Sequence, residues 1–188
     1  MKTFPAITLA LLFSMAMSAE TPAESLLPPF SGSGTEFTKT TKNNHLVKGW
    51  LPAKWVDNST WAAVNATYTK LADSPAKDAA AVRIEVTAVD SGQLQLTTYT
   101  GNHDYKKGVK YIVSGWVRSE RLAHLGVGAR EEDEPHAFYQ QMELTADPEW
   151  KRFEFVFTPE MDCLAWIMFF VKKPGAVDIA GVTVVGKP

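Results

Sequence analysis

A single cysteine, Cys163, stands among 188 residues. No disulfide framework can be built from it, so a fold of this length must be held by its core alone. Basic charge is not in excess either: 19 Lys+Arg against 21 Asp+Glu leave a net charge of −2. No basic patch interleaved with aromatics marks a nucleic-acid surface. The four histidines, His45, His103, His124 and His136, lack metal-ligand spacing. A phosphate-cradling glycine loop and a Gly-x-Ser-x-Gly element are also missing. Past the first 17 residues no apolar run is long enough to cross a bilayer.

The N-terminus carries the pattern of an export signal. Lys2 precedes an apolar run that begins Ile7-Thr8-Leu9-Ala10-Leu11-Leu12-Phe13 and ends among small residues near Met17. Cleavage fits after Ser18, with Ala16 three positions in, or after Ala19. The mature chain is then secreted or periplasmic, with no membrane contact once the signal is removed. From Thr21 to Asn44 the composition turns to Pro, Ser, Gly, Thr and Lys, which reads as a linker or loosely attached arm able to hold a protein partner. The expected division is 1–19 signal, 20–43 flexible arm and 44–188 folded domain.

That domain reads as strands. In Lys151 to Thr158, Phe153, Phe155 and Phe157 share one face opposite Arg152, Glu154 and Val156; in Ala81 to Thr87, Val82, Ile84 and Val86 do the same. Further strands are expected at Trp61 to Tyr68, Gln93 to Tyr99, Val109 to Arg118, Leu122 to Ala129, Phe138 to Leu144, Leu164 to Val171 and Val177 to Val185. Turn residues such as Asp90-Ser91-Gly92, Lys107-Gly108 and Lys173-Pro174-Gly175 separate them. The only helical hint is a turn at Asp73 to Ala80. The pattern predicts an all-β antiparallel β-sandwich.

From Trp50 onward the chain resembles the carbohydrate-binding modules of the cellulase-C type, in the galactose-binding-like jelly-roll group. The resemblance is carried in order by Gly49-Trp50, Ala81 to Val86, Tyr111 to Ser119, Glu149 to Thr158 and Pro174 to Val182. It implies a jelly roll of two sheets of about five strands. It also implies a sugar site in a groove on the concave face or, in some members, at the loop tips. The family's closing Asp-Asp pair, often beside a structural calcium, falls here on Ala180 and Gly181. Asp178 alone is thin support for an ion that needs several oxygen ligands, so no metal or cofactor is expected.

Sugar recognition needs flat apolar faces for the C–H side of a pyranose and amides, carboxylates or guanidinium groups for its hydroxyls. Tyr99 shares a strand face with Gln93 and Gln95, Trp116 shares one with Arg118, Gln141 or Gln140 lies on the Phe138 strand with Gln141 taken as the ligand residue, and Arg130 stands where a strand meets a loop. Trp50, Trp55 and Trp61 lie in a polar stretch that places one or two of them at a groove edge, and Trp55 is taken as a ligand residue. Trp150 and Trp166 read as core. Glu131-Glu132-Asp133-Glu134 ahead of Pro135-His136 is the one acidic cluster where a glycosidase or lyase could be sought, and it reads more simply as a solvated loop. Cys163 reads as a buried thiol. The favoured expectation is an exported, non-catalytic binder of a polysaccharide or oligosaccharide. The alternative is a structural or protein-interaction sandwich.

Overall fold

A computed structural model describes residues 24–28, 30, 33–76, 80–98, 104–121 and 123–187. The expected signal segment and Tyr99 lie outside these residues, as does part of the turn expected near Asp73 to Ala80. The chain runs through β1 (Gly34–Thr40), β2 (Leu46–Pro52), β3 (Trp55–Asp57), β4 (Ala63–Leu71), β5 (Ala81–Ser91) and β6 (Leu94–Thr98). It continues through β7 (Asp104–Tyr105), β8 (Lys110–Arg118), β9 (Ala123–Glu131), β10 (Phe138–Ala146), β11 (Lys151–Phe157), β12 (Cys163–Val171) and β13 (Gly175–Lys187). A larger sheet has the order β1-β2-β4-β5-β13-β8-β11, and a smaller one β10-β9-β12-β6-β3 with β7 attached to β12. The β2–β4 pair is parallel and the others are antiparallel. The period-two alternation therefore folds as expected, into an all-β sandwich.

The inward faces follow from that alternation. Phe153, Phe155 and Phe157 of β11 meet Val82, Ile84 and Val86 of β5 and Leu125, Val127 and Ala129 of β9 in one continuous core. Burying a side chain of this size contributes about 1.5–3 kcal/mol each, the term that must replace absent disulfides. Tyr105 stands edge-on to Tyr111, their centroids 4.8 Å apart, and Phe157 stacks on Tyr111 at 5.3 Å.

The segment expected as a flexible arm is instead part of the sandwich where it is described. Gly34–Thr40 pairs along its whole length with β2, Leu27 and Phe30 are buried, and Phe30 stands edge-on to Trp55 at 5.2 Å. The Leu26 N–H donates to the Val184 carbonyl. A Pro/Ser/Gly-rich composition concealed three apolar anchors, Leu27, Phe30 and Phe37, whose burial outweighs the cost of ordering the chain between them.

A buried polar knot fixes the start of the β3–β4 loop. The Asp57 carboxylate accepts from the Ser59 N–H (3.0 Å), the Ser59 hydroxyl (2.9 Å) and the Tyr68 hydroxyl (2.8 Å). Ser59 Oγ in turn accepts from the Gln95 N–H at 2.8 Å. Burial pushes the Asp57 carboxyl above its ordinary range, with these donors opposing the shift.

Candidate functional site

The outward face of the smaller sheet is organised in rows that run across the strands. Strand register places Phe138 of β10 opposite Arg130 of β9, and Arg130 opposite Trp166 of β12. The next row is Gln141, Gly128, Met168 and Thr97; the next is Glu143, Gly126, Phe170 and Gln95. Asn58 extends this third row, its N–H donating to the Gln95 carbonyl at 2.8 Å and its side-chain amide to Gln95 Oε1 at 3.3 Å. Two aromatic rows thus flank a middle row whose floor is glycine, methionine and threonine.

Glycine makes this shape. A Cβ at Gly126 would lie 1.9 Å from Phe170 Cζ, and one at Gly128 would lie 2.9 Å from Phe138 Cδ1 and 3.0 Å from Gln141 Cβ. Only bare backbone lets these side chains lie over β9. The Phe138 and Phe170 rings meet at 6.1 Å. Arg130 sits over Phe138 at 5.5 Å, and Lys172 over Phe170 at 5.0 Å.

The loop after β9 closes the Trp166 end. The His136 N–H donates to the Asp133 carbonyl at 2.7 Å, and Arg130 Nε donates to the His136 carbonyl at 2.6 Å. These bonds lay the imidazole on the Trp166 indole, centroids 5.8 Å apart. Trp166 Nε1 and His136 Nδ1 are both shielded and have no hydrogen-bond partner. Unsatisfied polar atoms of this kind cost stability and concentrate where a ligand or a movement engages them. At the opposite end a pocket of about 600 Å³ joins His124, Gly126, Glu143, Phe170 and Lys172 of the face to the Ser119–Arg121 and Lys173–Gly175 loops.

The sequence-expected residues divide between the two sheets. Gln95, Arg130 and Gln141 belong to this face; Gln95 is 2% exposed, tied down through Asn58. Trp116 and Arg118 point outward from the larger sheet, on the other side of the molecule. There Arg118 donates from Nε and Nη2 to Asp178 at 3.1 and 3.0 Å, and lies 4.4 Å from the Trp150 ring. Arg83 holds the other side of the same carboxylate through Asp178 Oδ1, and Asp178 is 1% exposed. Arg118 is therefore committed to an ion-pair network. Trp55, 4% exposed, points into the core and is no part of any groove. Trp166, read as core, instead faces outward and is half-buried.

The acidic stretch gives the loop its shape. Glu131 accepts from the Tyr139 hydroxyl at 3.4 Å, the Glu132 N–H donates to the Leu164 carbonyl, and Asp133 holds His136. Cys163 lies beside Tyr139, and burial raises both its thiol and that phenol above their ordinary ranges. Among the described residues, no group of three or more His, Cys, Asp and Glu side chains gathers as a metal site. Among the same residues, no helix is long and apolar enough to cross a membrane.

The architecture matches solved structures. A CBM4 carbohydrate-binding module superimposes with a TM-score of 0.56 at 16% identity, over 71% of this chain and 86% of that one. The fold is that of carbohydrate-binding modules. The CBM22-1 xylan-binding domain from Paenibacillus barcinonensis gives a TM-score of 0.50 at 11% identity, over 87% of this chain and 95% of that one. The N-terminal cellulose-binding domain from Cellulomonas fimi β-1,4-glucanase C gives 0.50 at 12%, over 86% and 99%. No protein-family model and no curated protein sequence matches this chain. The likeness to these modules therefore lies in the fold, at identities too low to carry over their ligands.

Proposed function

We propose that the chain is an exported, non-catalytic carbohydrate-binding module that takes a polysaccharide or oligosaccharide on the outward face of the smaller sheet. The observation that carries the reading is the paired aromatic rows of that face, Phe138 with Trp166 and then Phe170, on either side of a glycine-lined floor. The exposed Phe138 ring and the half-buried Trp166 offer stacking surfaces to pyranose C–H faces, with Phe170 buried against Phe138, while Gln141, Glu143 and Arg130 offer donors and acceptors to hydroxyls. The fold shared with carbohydrate-binding modules supports the same reading. The pattern at residues 1–19 supports export to the cell surroundings or periplasm, and residues 44–188 remain the segment that carries the binding face.

Binding is expected to work by preorganisation. The rings are set on β-strand backbone and locked by neighbours, so little side-chain freedom is lost when a sugar arrives. Placing the Glu131 carboxylate on the Tyr139 hydroxyl supports the non-catalytic reading, because hydrolysis needs two carboxylates poised across a scissile bond. Affinity-gel electrophoresis and a glycan array of plant, algal and microbial polysaccharides test the proposal. Retardation by at least one polymer is expected; no retardation by any of them favours a sandwich that serves structure or protein contacts.

A further inference from the structure

Arg130 stands between two rings on the outward face of the smaller sheet, with Phe138 of β10 on one side and Trp166 of β12 on the other. Its guanidinium is held twice. Nε donates to the His136 carbonyl at 2.6 Å, and the group lies 5.5 Å from the centre of the Phe138 ring. The His136 imidazole is itself stacked on Trp166, so the carbonyl that fixes Arg130 is positioned by the ring next to it. Nη1 and Nη2 are left over. Unlike Trp166 Nε1 and His136 Nδ1 they are open to water, and among the described residues they meet no hydrogen-bond or ion-pair partner.

The acids that follow in sequence do not neutralise this charge. The Glu131 carboxylate is on the Tyr139 hydroxyl, Asp133 and Glu134 are exposed, and among the described residues none of the Glu131–Glu134 side chains pairs with Arg130. Lys172, over Phe170 in the third row, differs in having Glu143 at 3.9 Å. A guanidinium only donates, whereas a sugar hydroxyl both donates and accepts. With Nε occupied, Nη1 and Nη2 form an end-on fork, and the group that matches a fork of two donors is the pair of oxygens of a carboxylate. Phe138, 36% exposed, and Trp166 offer apolar surface beside it for the ring that bears the carboxylate. We propose that Arg130 holds the carboxylate of a uronic acid residue, so that the ligand is an acidic polysaccharide or oligosaccharide. This rests on the carbohydrate reading above and adds to it the charge of the ligand and the residue that reads it.

Calorimetric titration of the full chain with polygalacturonate, alginate and glucuronoxylan, each against its carboxyl-reduced counterpart, and with neutral β-glucan, tests it. The net charge of −2 gives the chain no general attraction for a polyanion, so a preference for the acidic form reports a local contact. At least one acidic polymer is expected to bind roughly tenfold or more tightly than its reduced form. Arg130→Gln is expected to abolish that preference by weakening the acidic polymer alone. Arg130→Lys, which keeps the charge and loses the fork, restores part of it. Arg152→Gln, an exposed change on the larger sheet, keeps the wild-type preference. A wild type that binds acidic and reduced polymers equally, or binds only neutral ones, overturns the inference while leaving the carbohydrate reading intact, and so does a preference that survives Arg130→Gln. A wild type that binds none of these probes, acidic or neutral, overturns the carbohydrate reading and the inference with it.

Discussion

Replacing Gly126 by Ala tests how the face is built. The added Cβ would lie 1.9, 2.1 and 2.5 Å from Phe170 Cζ, Cε2 and Cε1, where carbon contacts settle at about 3.5–4.0 Å. The ring must therefore swing by about 1.5–2 Å. Phe170 is only 3% exposed, so the swing breaks its contacts with Phe138 and Lys172 and strains its neighbours. Overpacking of this kind costs about 1–3 kcal/mol. The loss of glycine's freedom in the unfolded chain returns about 0.4–1 kcal/mol. The expected net destabilisation is thus between zero and about 2.6 kcal/mol, read from urea unfolding midpoints, with polysaccharide affinity falling because one aromatic row has been displaced. A double-mutant cycle gives the decisive reading: in a Phe170→Ala background the obstruction is gone, so Gly126→Ala should cost nothing further. A Gly126→Ala protein with unchanged stability and binding would show that this glycine does not shape the face, as would a cost that persists undiminished when Phe170 is absent.

Other perturbations act elsewhere in the sandwich. Asp178→Ala leaves Arg83 and Arg118 without the carboxylate they share; because both guanidiniums keep some access to water, a loss of about 3 kcal/mol is expected in chemical denaturation. Asp57 has a carboxyl raised by burial, so its contribution to stability is complete below the unfolded-state value and is lost as pH rises through the folded-state value. The difference in unfolding midpoint between wild type and Asp57→Asn should therefore change across that window, and a pH-independent difference would show that burial does not set the shift. Tyr68, Tyr105 and Tyr139 are likewise raised, chiefly by burial. Stability should accordingly fall above about pH 10, and spectrophotometric titration should show these phenols ionising together with unfolding; three phenols ionising in the intact fold would contradict it.

The strands were legible because alternation is a local signal with a physical cause. Phe153, Phe155 and Phe157 need no knowledge of their partners to declare a buried face. Strand β1 was not legible, because its Thr and Lys residues match an arm as well as an edge strand, and its anchors Leu27 and Phe30 are isolated apolar residues among prolines. Of the seven candidate residues, Gln95, Arg130 and Gln141 lie together on one face, an adjacency set by strand register and not visible along any one strand. Trp116 with Arg118 did not join them, because alternation tells which residues share a strand face and not which sheet that strand enters. Trp166 and Phe170 were hidden by a strand apolar on both faces, Ala165, Ile167 and Phe169 filling the other side. The alternation Gly126-Val127-Gly128-Ala129 was the available clue, since glycine at every second position means something lies close over that face.

Carbohydrate binding is assigned here to the outward face of the smaller sheet. Its most direct test is the affinity of wild type, Trp166→Ala and Trp116→Ala for the polysaccharide that retards the wild type most strongly. The wild type is expected to bind, Trp166→Ala to lose roughly tenfold or more in affinity, and Trp116→Ala, which alters the opposite sheet, to keep wild-type affinity. Binding that survives Trp166→Ala and disappears in Trp116→Ala would contradict this assignment.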